Sequence, residues 1–173
     1  SFNANKPLTT GMGGKLVSRD PEFLARARLY ANQGKAEALH YEHTVVGMNY
    51  RMSNFNAALG LAQWPELEER IQTKQAHFIR YAAALKPLGF EPMPQPPGAR
   101  HNHWMHAFLV PGGEKALPLI QTLRDNGIEA APLWKPMHRQ LPYQSCPVHG
   151  GEVADDLFQR GPVLPSGLDL SHA

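Results

Sequence analysis

Ser1-Phe-Asn-Ala-Asn-Lys6-Pro-Leu-Thr-Thr10-Gly-Met-Gly-Gly14 opens the chain, and the fold is read outward from it. One lysine stands among small polar residues and ahead of a glycine-rich turn. Ser1, Asn3, Asn5, Thr9 and Thr10 offer hydrogen-bonding groups, while Gly11, Gly13 and Gly14 permit positive φ or a close backbone approach to a ligand. Two readings fit the stretch. It is an ordinary turn ahead of a strand with a solvated lysine, or a loop that holds a lysine amine beside an anion.

Lys15 to Ser18 follows as a short strand. Asp20-Pro21 then starts a helix, since the aspartate accepts from orphan amides and proline loses nothing at the first helical position. Phe23, Leu24, Ala27 and Ala31 share one face, and Gly34 is a stop. Residues 35–50 show no period and form an irregular connection. Ser53 or Asn54 caps the next helix, which runs to Trp64, where Pro65 breaks or kinks it. A second helix carries Leu67, Ile71, Phe78, Ala82 and Leu85 as an apolar stripe. Residues 87–97 read as a proline-rich linker. A strand over Trp104–Val110, a helix over Leu117–Asn126, a strand over Ile128–Ala131, an irregular segment over residues 132–150, a helix over Glu152–Arg160 and a short Val163-Leu164 segment complete the chain. Strands that alternate with helices make this an α/β or α+β arrangement without a full doubly wound sheet.

Composition excludes several classes. Of 173 residues, 42% are hydrophobic and 18% charged, the pattern of a chain with a packed core rather than a disordered one. Lys and Arg number 17 against 15 Asp and Glu, mixed along the chain, so no basic stripe points to nucleic acid. Apolar runs are too short for a membrane span. The one cysteine, Cys146, makes no internal disulfide and suits a reducing, cytoplasmic setting. The chain begins without methionine or a secretion signal, inside what reads as a functional loop, and is expected to be part of a longer polypeptide.

Four clusters bear on chemistry. His101, His103 and His106 invite a metal, but in one strand the first two share a face and His106 points the other way, so no metal site is expected. Cys146 with His138 and His149 lacks an orienting carboxylate within its own segment. Glu66, Glu68, Glu69, Asp155 and Asp156 sit in first turns of helices, where they complement the macrodipole. Gly47-Met-Asn49-Tyr50-Arg51-Met-Ser53-Asn54 places an amide, a phenol and a guanidinium where a loop becomes a helix, a position suited either to gripping an anion or to simple capping.

Together these stretches resemble the DegT/DnrJ/EryC1/StrS family of pyridoxal-phosphate-dependent sugar aminotransferases. Ser1 to Lys6 with Thr9-Thr10-Gly11 is similar to the family's Schiff-base lysine segment. The likeness continues through Gly47–Met52, Asn56–Gln63, Trp134–His138 and Leu164-Pro165-Ser166. The resemblance implies the end of an aspartate-aminotransferase-like (fold type I) large domain over residues 1–53, then long helices and a small C-terminal α/β domain over residues 54–173. It implies pyridoxal 5′-phosphate carried on Lys6, Ser1 on its phosphate, and Asn49 reaching the phosphate in a neighbouring subunit of a homodimer. Tyr50, Arg51 and His138 would serve the substrates, a nucleotide-linked 4-keto-6-deoxy sugar and an amino donor, glutamate. A sugar dehydratase of the same family would carry histidine in place of Lys6, and a decayed, purely dimerising fragment is the non-enzymatic alternative. Three departures stand out: Pro7 restricts Lys6 to extended backbone, Ala131 stands where many relatives have arginine, and Pro65 interrupts a helix that relatives often continue.

Overall fold

The computed structural model describes residues 1–170. It divides the chain into two units, Ser1–Leu67 and Glu68–Ala173. The helix that follows residue 53 lies in the first unit and is hydrogen-bonded to the lysine loop.

In the first unit, α1 spans Pro21–Ala31, with Asp20 accepting from the amides of Glu22 and Phe23 and proline at its start, as the sequence indicates. The helix ends at Asn32, and Gly34 follows with φ 69°. The strand expected over residues 15–18 does not form. The irregular connection returns alongside the end of α1: Met48 N–H donates to Tyr30 O, Gln33 N–H to Met48 O, and Tyr50 N–H to Ala31 O. Two close glycines make this approach possible. A Cβ at Gly47 would lie 2.4 Å from the Gly34 nitrogen, and one at Gly34 would lie 1.9 Å from Val45 O. α2 then runs over Asn54–Gln63, capped by Ser53, whose hydroxyl accepts from Asn56 N–H. At Pro65 the geometry changes without a full break: Trp64–Glu66 tightens into a 3₁₀ turn, and α3 follows over Leu67–Leu85.

The second unit is a small antiparallel sheet with helices packed on it. Its strands are β1 (Glu91–Pro92), β2 (His106–Leu109), β3 (Ala131–Pro132) and β4 (Pro162–Leu164), in the order β1-β2-β4-β3. β1 pairs Glu91 with Leu109, β2 pairs His106 with Leu164, and β3 pairs Ala131 with Val163. The prolines of β1 and β3 lie on edge strands and that of β4 on its first residue, the positions where a missing amide does least harm. Residues 87–97 are therefore not all linker, and the strand expected at Ile128 starts only at Ala131. α4 (Ala116–Asp125) buries Ala116 and Ile120 against Val110 and Ala130, with Phe90, Leu119 and Leu123 around them. α5 covers Glu152–Arg160 as expected. No helix among the described residues is long and apolar enough to cross a membrane.

Between α3 and β2 lies an aromatic cluster. Phe78 stacks on Phe108 at 5.4 Å between ring centroids, and Tyr81 meets His106 edge-on at 5.5 Å. His106 is fully buried. Its Nδ1 faces Pro165 O and its Nε2 faces Lys74 O, each at 3.1 Å. A neutral imidazole donates from only one nitrogen, so one carbonyl receives a hydrogen bond and the other does not. Burial pushes the His106 pKa down to about 4, with the two carbonyl contacts acting against it and the charges of Lys74 and His103 adding to it. Lys74, 7% exposed, donates to Ser166 O, and Ser166 Oγ donates to Trp104 O at 2.9 Å. The expected opposition of His106 to His103 does not occur. The strand begins only at His106, His103 precedes it with φ 46°, and both rings contact Phe78.

Candidate active site

Local hydrogen bonds explain why residues 1–14 fold as a closed loop. Phe2 N–H donates to Gly13 O and Thr10 N–H returns to Phe2 O, both at 2.9 Å, so the two ends of the loop meet. Inside it, Lys6 N–H closes a four-residue turn onto Asn3 O at 3.0 Å. Thr9 Oγ1 donates to Phe2 O and accepts from Gly11 N–H, and Thr10 Oγ1 donates to Met12 O. Gly11 and Gly13 take φ of 81° and 101°, which a side chain would make costly. Pro7, Leu8 and Thr10 are buried, Lys6 is half-buried and Ser1 is exposed. Ser1 stands beside the returning glycines, its Cα 3.7 Å from where a Cβ of Gly14 would lie.

The segment carrying Asn49, Tyr50 and Arg51 is fixed at both ends. Asn49 bridges Asn32 at the end of α1, and Arg51 Nη1 donates to Asn32 Oδ1 at 3.0 Å. Met52, the next residue, touches the lysine loop: a Cβ at Gly13 would come within 3.2 Å of its Cε. Asn49, Tyr50 and Arg51 are exposed. The segment is thus tied by its backbone to the end of α1 and approaches the lysine loop through Met52, while Asn49, Tyr50 and Arg51 are exposed. One α2 amide is already taken by Ser53, so the start of that helix is in part an ordinary cap.

His138 belongs to the second unit, where a carboxylate that sequence reading had assigned only to a helix dipole engages it. Nε2 of His138 lies 2.9 Å from Asp155 Oδ1, and Arg139 Nε lies 2.6 Å from the same oxygen. Burial works to raise the Asp155 pKa, but hydrogen bonding and charge from Arg139, then His138, outweigh it and hold the carboxyl below its usual range. Because a carboxylate only accepts, Nε2 carries the proton and Nδ1 is left as an acceptor when the ring is neutral. Gly151, with φ 127°, lets backbone close on the ring: a Cβ there would stand 3.0 Å from His138 Cε1. His138, Tyr143, Cys146 and His149 line a common hollow of about 530 Å³. The orienting carboxylate missing from residues 132–150 comes from α5. Its signal was present as an acidic residue in a first turn, but no spacing rule links it to His138.

The model of the DegT/DnrJ/EryC1/StrS aminotransferase family matches residues 1–173, the whole chain. The chain belongs to this family. EpsN of Bacillus subtilis (strain 168), named as a pyridoxal phosphate-dependent aminotransferase, is 39% identical over 99% of the chain and 45% of its own length. The GDP-perosamine synthase of Escherichia coli O157:H7 is 34% identical over 99% of the chain and 47% of its own. Among solved structures, Helicobacter pylori PseC, an aminotransferase of pseudoaminic acid biosynthesis, superposes with a TM-score of 0.88 at 24% identity, covering 99% of the chain and 48% of PseC. That likeness gives the fold: this family member carries a part of the α/β aminotransferase architecture. The chain spans about half the length of the relatives it matches.

Family members depend on pyridoxal phosphate. The residues present fit it. Lys6 is a primary amine on a loop closed at both ends, and Ser1, whose backbone stands beside Gly14, adds a hydroxyl to a glycine-containing stretch, donor chemistry of the kind a phosphate takes.

Proposed function

We propose that the full-length protein carrying this chain moves an amino group from glutamate to the keto carbon of a nucleotide-linked 4-keto-6-deoxy sugar. The observation that carries this reading is Lys6 itself, half-buried at the end of a hydrogen-bonded turn within a loop whose two ends are tied together. The relatives' names, GDP-perosamine synthase and an aminotransferase of pseudoaminic acid biosynthesis, support an amino-sugar product. When bound, pyridoxal phosphate supplies a carbonyl carbon on which amines exchange and a ring that withdraws electrons from it.

The chain's own residues do the rest in this proposal. Lys6 Nζ would hold the cofactor, be freed when the incoming amine displaces it, and as the free amine move a proton between the cofactor carbon and the substrate carbon in each half of the reaction. Ser1 binds the phosphate. Asn49 reaches the phosphate held by a neighbouring subunit of a cytoplasmic homodimer, and its exposure on a braced segment suits that task. Tyr50 and Arg51 flank it for nucleotide-sugar contact, with Arg51 tethered by Asn32. His138, its tautomer set by Asp155, contacts the sugar or the amino donor through Nδ1.

The test is direct. The full-length protein, incubated with glutamate and a 4-keto-6-deoxy sugar nucleotide, should yield the amino sugar nucleotide and 2-oxoglutarate, and Lys6→Ala should abolish it. Full activity in Lys6→Ala, or an intact protein that forms no such product from any nucleotide-linked keto sugar, would overturn the reading.

A further inference from the structure

The lysine loop is held by one face of α2, and this goes beyond anchoring the cofactor: it assigns residues that set where the anchor stands. Asn56, Gly60 and Gln63 fall at i, i+4 and i+7, so they line a single stripe of the helix. Asn56 Nδ2 donates to Thr10 O while its Oδ1 takes the Ser53 hydroxyl, so both ends of the amide are used and its orientation is fixed. Gln63 Nε2 donates to Thr9 O at 2.7 Å and to Leu59 O at 2.9 Å, and Gln63 Oε1 accepts from Thr9 N–H at 3.4 Å. One side-chain amide thus meets both the N–H and the C=O of Thr9, as a neighbouring strand would. Gly60 lies between them, buried, and lets Thr10 and Leu8 settle directly on the helix.

These contacts converge on the two residues where the loop returns to Phe2, three and four positions after Lys6. Pro7 and Leu8, between lysine and clamp, are buried, and Pro7 has its φ fixed by its ring. The path from Gln63 to Lys6 is therefore short and stiff. We infer that Gln63 and Asn56 are positioning residues that fix the height and direction from which the Lys6 amine is presented. The inference rests on Lys6 being the cofactor lysine. Neither Gln63 nor Asn56 touches the reacting atoms; each acts through the backbone of Thr9 and Thr10.

The test uses the full-length protein as Gln63→Glu, Gln63→Met and Asn56→Asp. Gln63→Glu keeps the length and the acceptor for Thr9 N–H but sets a carboxylate against two carbonyls, whereas Gln63→Met keeps the volume and loses every polar contact. In the cofactor-free protein, hydrogen exchange across residues 1–14 and the acetylation rate of Lys6 by limiting reagent are read against Lys15 as an internal standard. With pyridoxal phosphate added, the pH midpoint of the visible absorption is followed. The clamp predicts that exchange at Thr9 and Thr10 rises roughly fivefold to tenfold, the worth of about one lost hydrogen bond. Lys6 acetylation and the pH midpoint move with it while Lys15 labels as before. Raised exchange with unchanged Lys6 acetylation and an unchanged midpoint in all three variants overturns the inference, leaving the clamp a purely structural contact. Should Gln63→Glu fail to fold, the other two variants carry the same readouts. A visible band that survives Lys6→Ala defeats the cofactor reading as well. A band lost in Lys6→Ala, with the clamp variants indistinguishable from wild type, defeats the positioning role alone.

Discussion

Gly60 faces Thr10 so closely that a Cβ on the glycine would lie 2.8 Å from the threonine methyl. Helix interiors disfavour glycine, so this one is kept at a cost in helix propensity of about 1 kcal/mol relative to alanine. What offsets it is the seat it makes for the lysine loop.

Gly60→Ala should therefore destabilise the protein despite its better helix propensity. Overpacking against Thr10 predicts a net loss of about 1–2 kcal/mol, read by denaturant melts. Gly47→Ala should cost more, about 3 kcal/mol or above, because its Cβ would meet backbone of Gln33, Gly34 and Tyr30 rather than a side-chain methyl that can turn aside. A neutral or stabilising Gly60→Ala would show that the loop does not pack on α2 as described, and a Gly47→Ala milder than Gly60→Ala would contradict the close backbone approach at Gly47.

His106 makes stability depend on mildly acidic pH. Its folded pKa of about 4 lies below the ordinary histidine value of about 6.5. The unfolded chain therefore takes up a proton that the folded one refuses, and stability present above about pH 6.5 is lost progressively as pH falls toward 4. The loss amounts to roughly 2–3 kcal/mol across that window. His106→Phe, which suits the surrounding Phe78, Tyr81 and Phe108 rings, should flatten the slope of stability between pH 6.5 and 4. A slope unchanged in His106→Phe would remove His106 as its source.

Asp155 acts at lower pH. A carboxyl held below its usual range stabilises the fold above the unfolded carboxyl pKa and loses that contribution as pH falls through the folded value. Hydrogen exchange over residues 137–155 should thus accelerate below about pH 4 after correction for intrinsic rates. Asp155→Asn should exchange faster at neutral pH and lose the acid dependence, because Arg139 and His138 no longer face a charge. Wild-type protection in Asp155→Asn at neutral pH would show that the carboxylate does not hold His138.

The helices were legible because their signals are local. Asp20-Pro21 starts α1, Ser53 caps α2 and Gly161 follows α5, and each boundary depends on residues within one turn of it. The short strands were not, since two-residue β1 and β3 exist only through β2 and β4, and pairing of this kind is decided by partners far along the chain. Lys6, Asn49 and His138 could be marked from motifs. Gln63 lies in a matching stretch but drew no role, and Asp155 drew only a helix-dipole one, because a glutamine on a helix and an aspartate in a first turn look ordinary until the fold brings Thr9 and His138 to them.

The central claim is that Lys6 is the amine that carries the cofactor, and borohydride reduction tests it most directly. The full-length protein, loaded with pyridoxal phosphate, reduced and digested, should carry the pyridoxyl group on the peptide containing Lys6 and on no other lysine peptide. A label on Lys15, Lys74 or another lysine, or a reduced protein with no label at all, would contradict it.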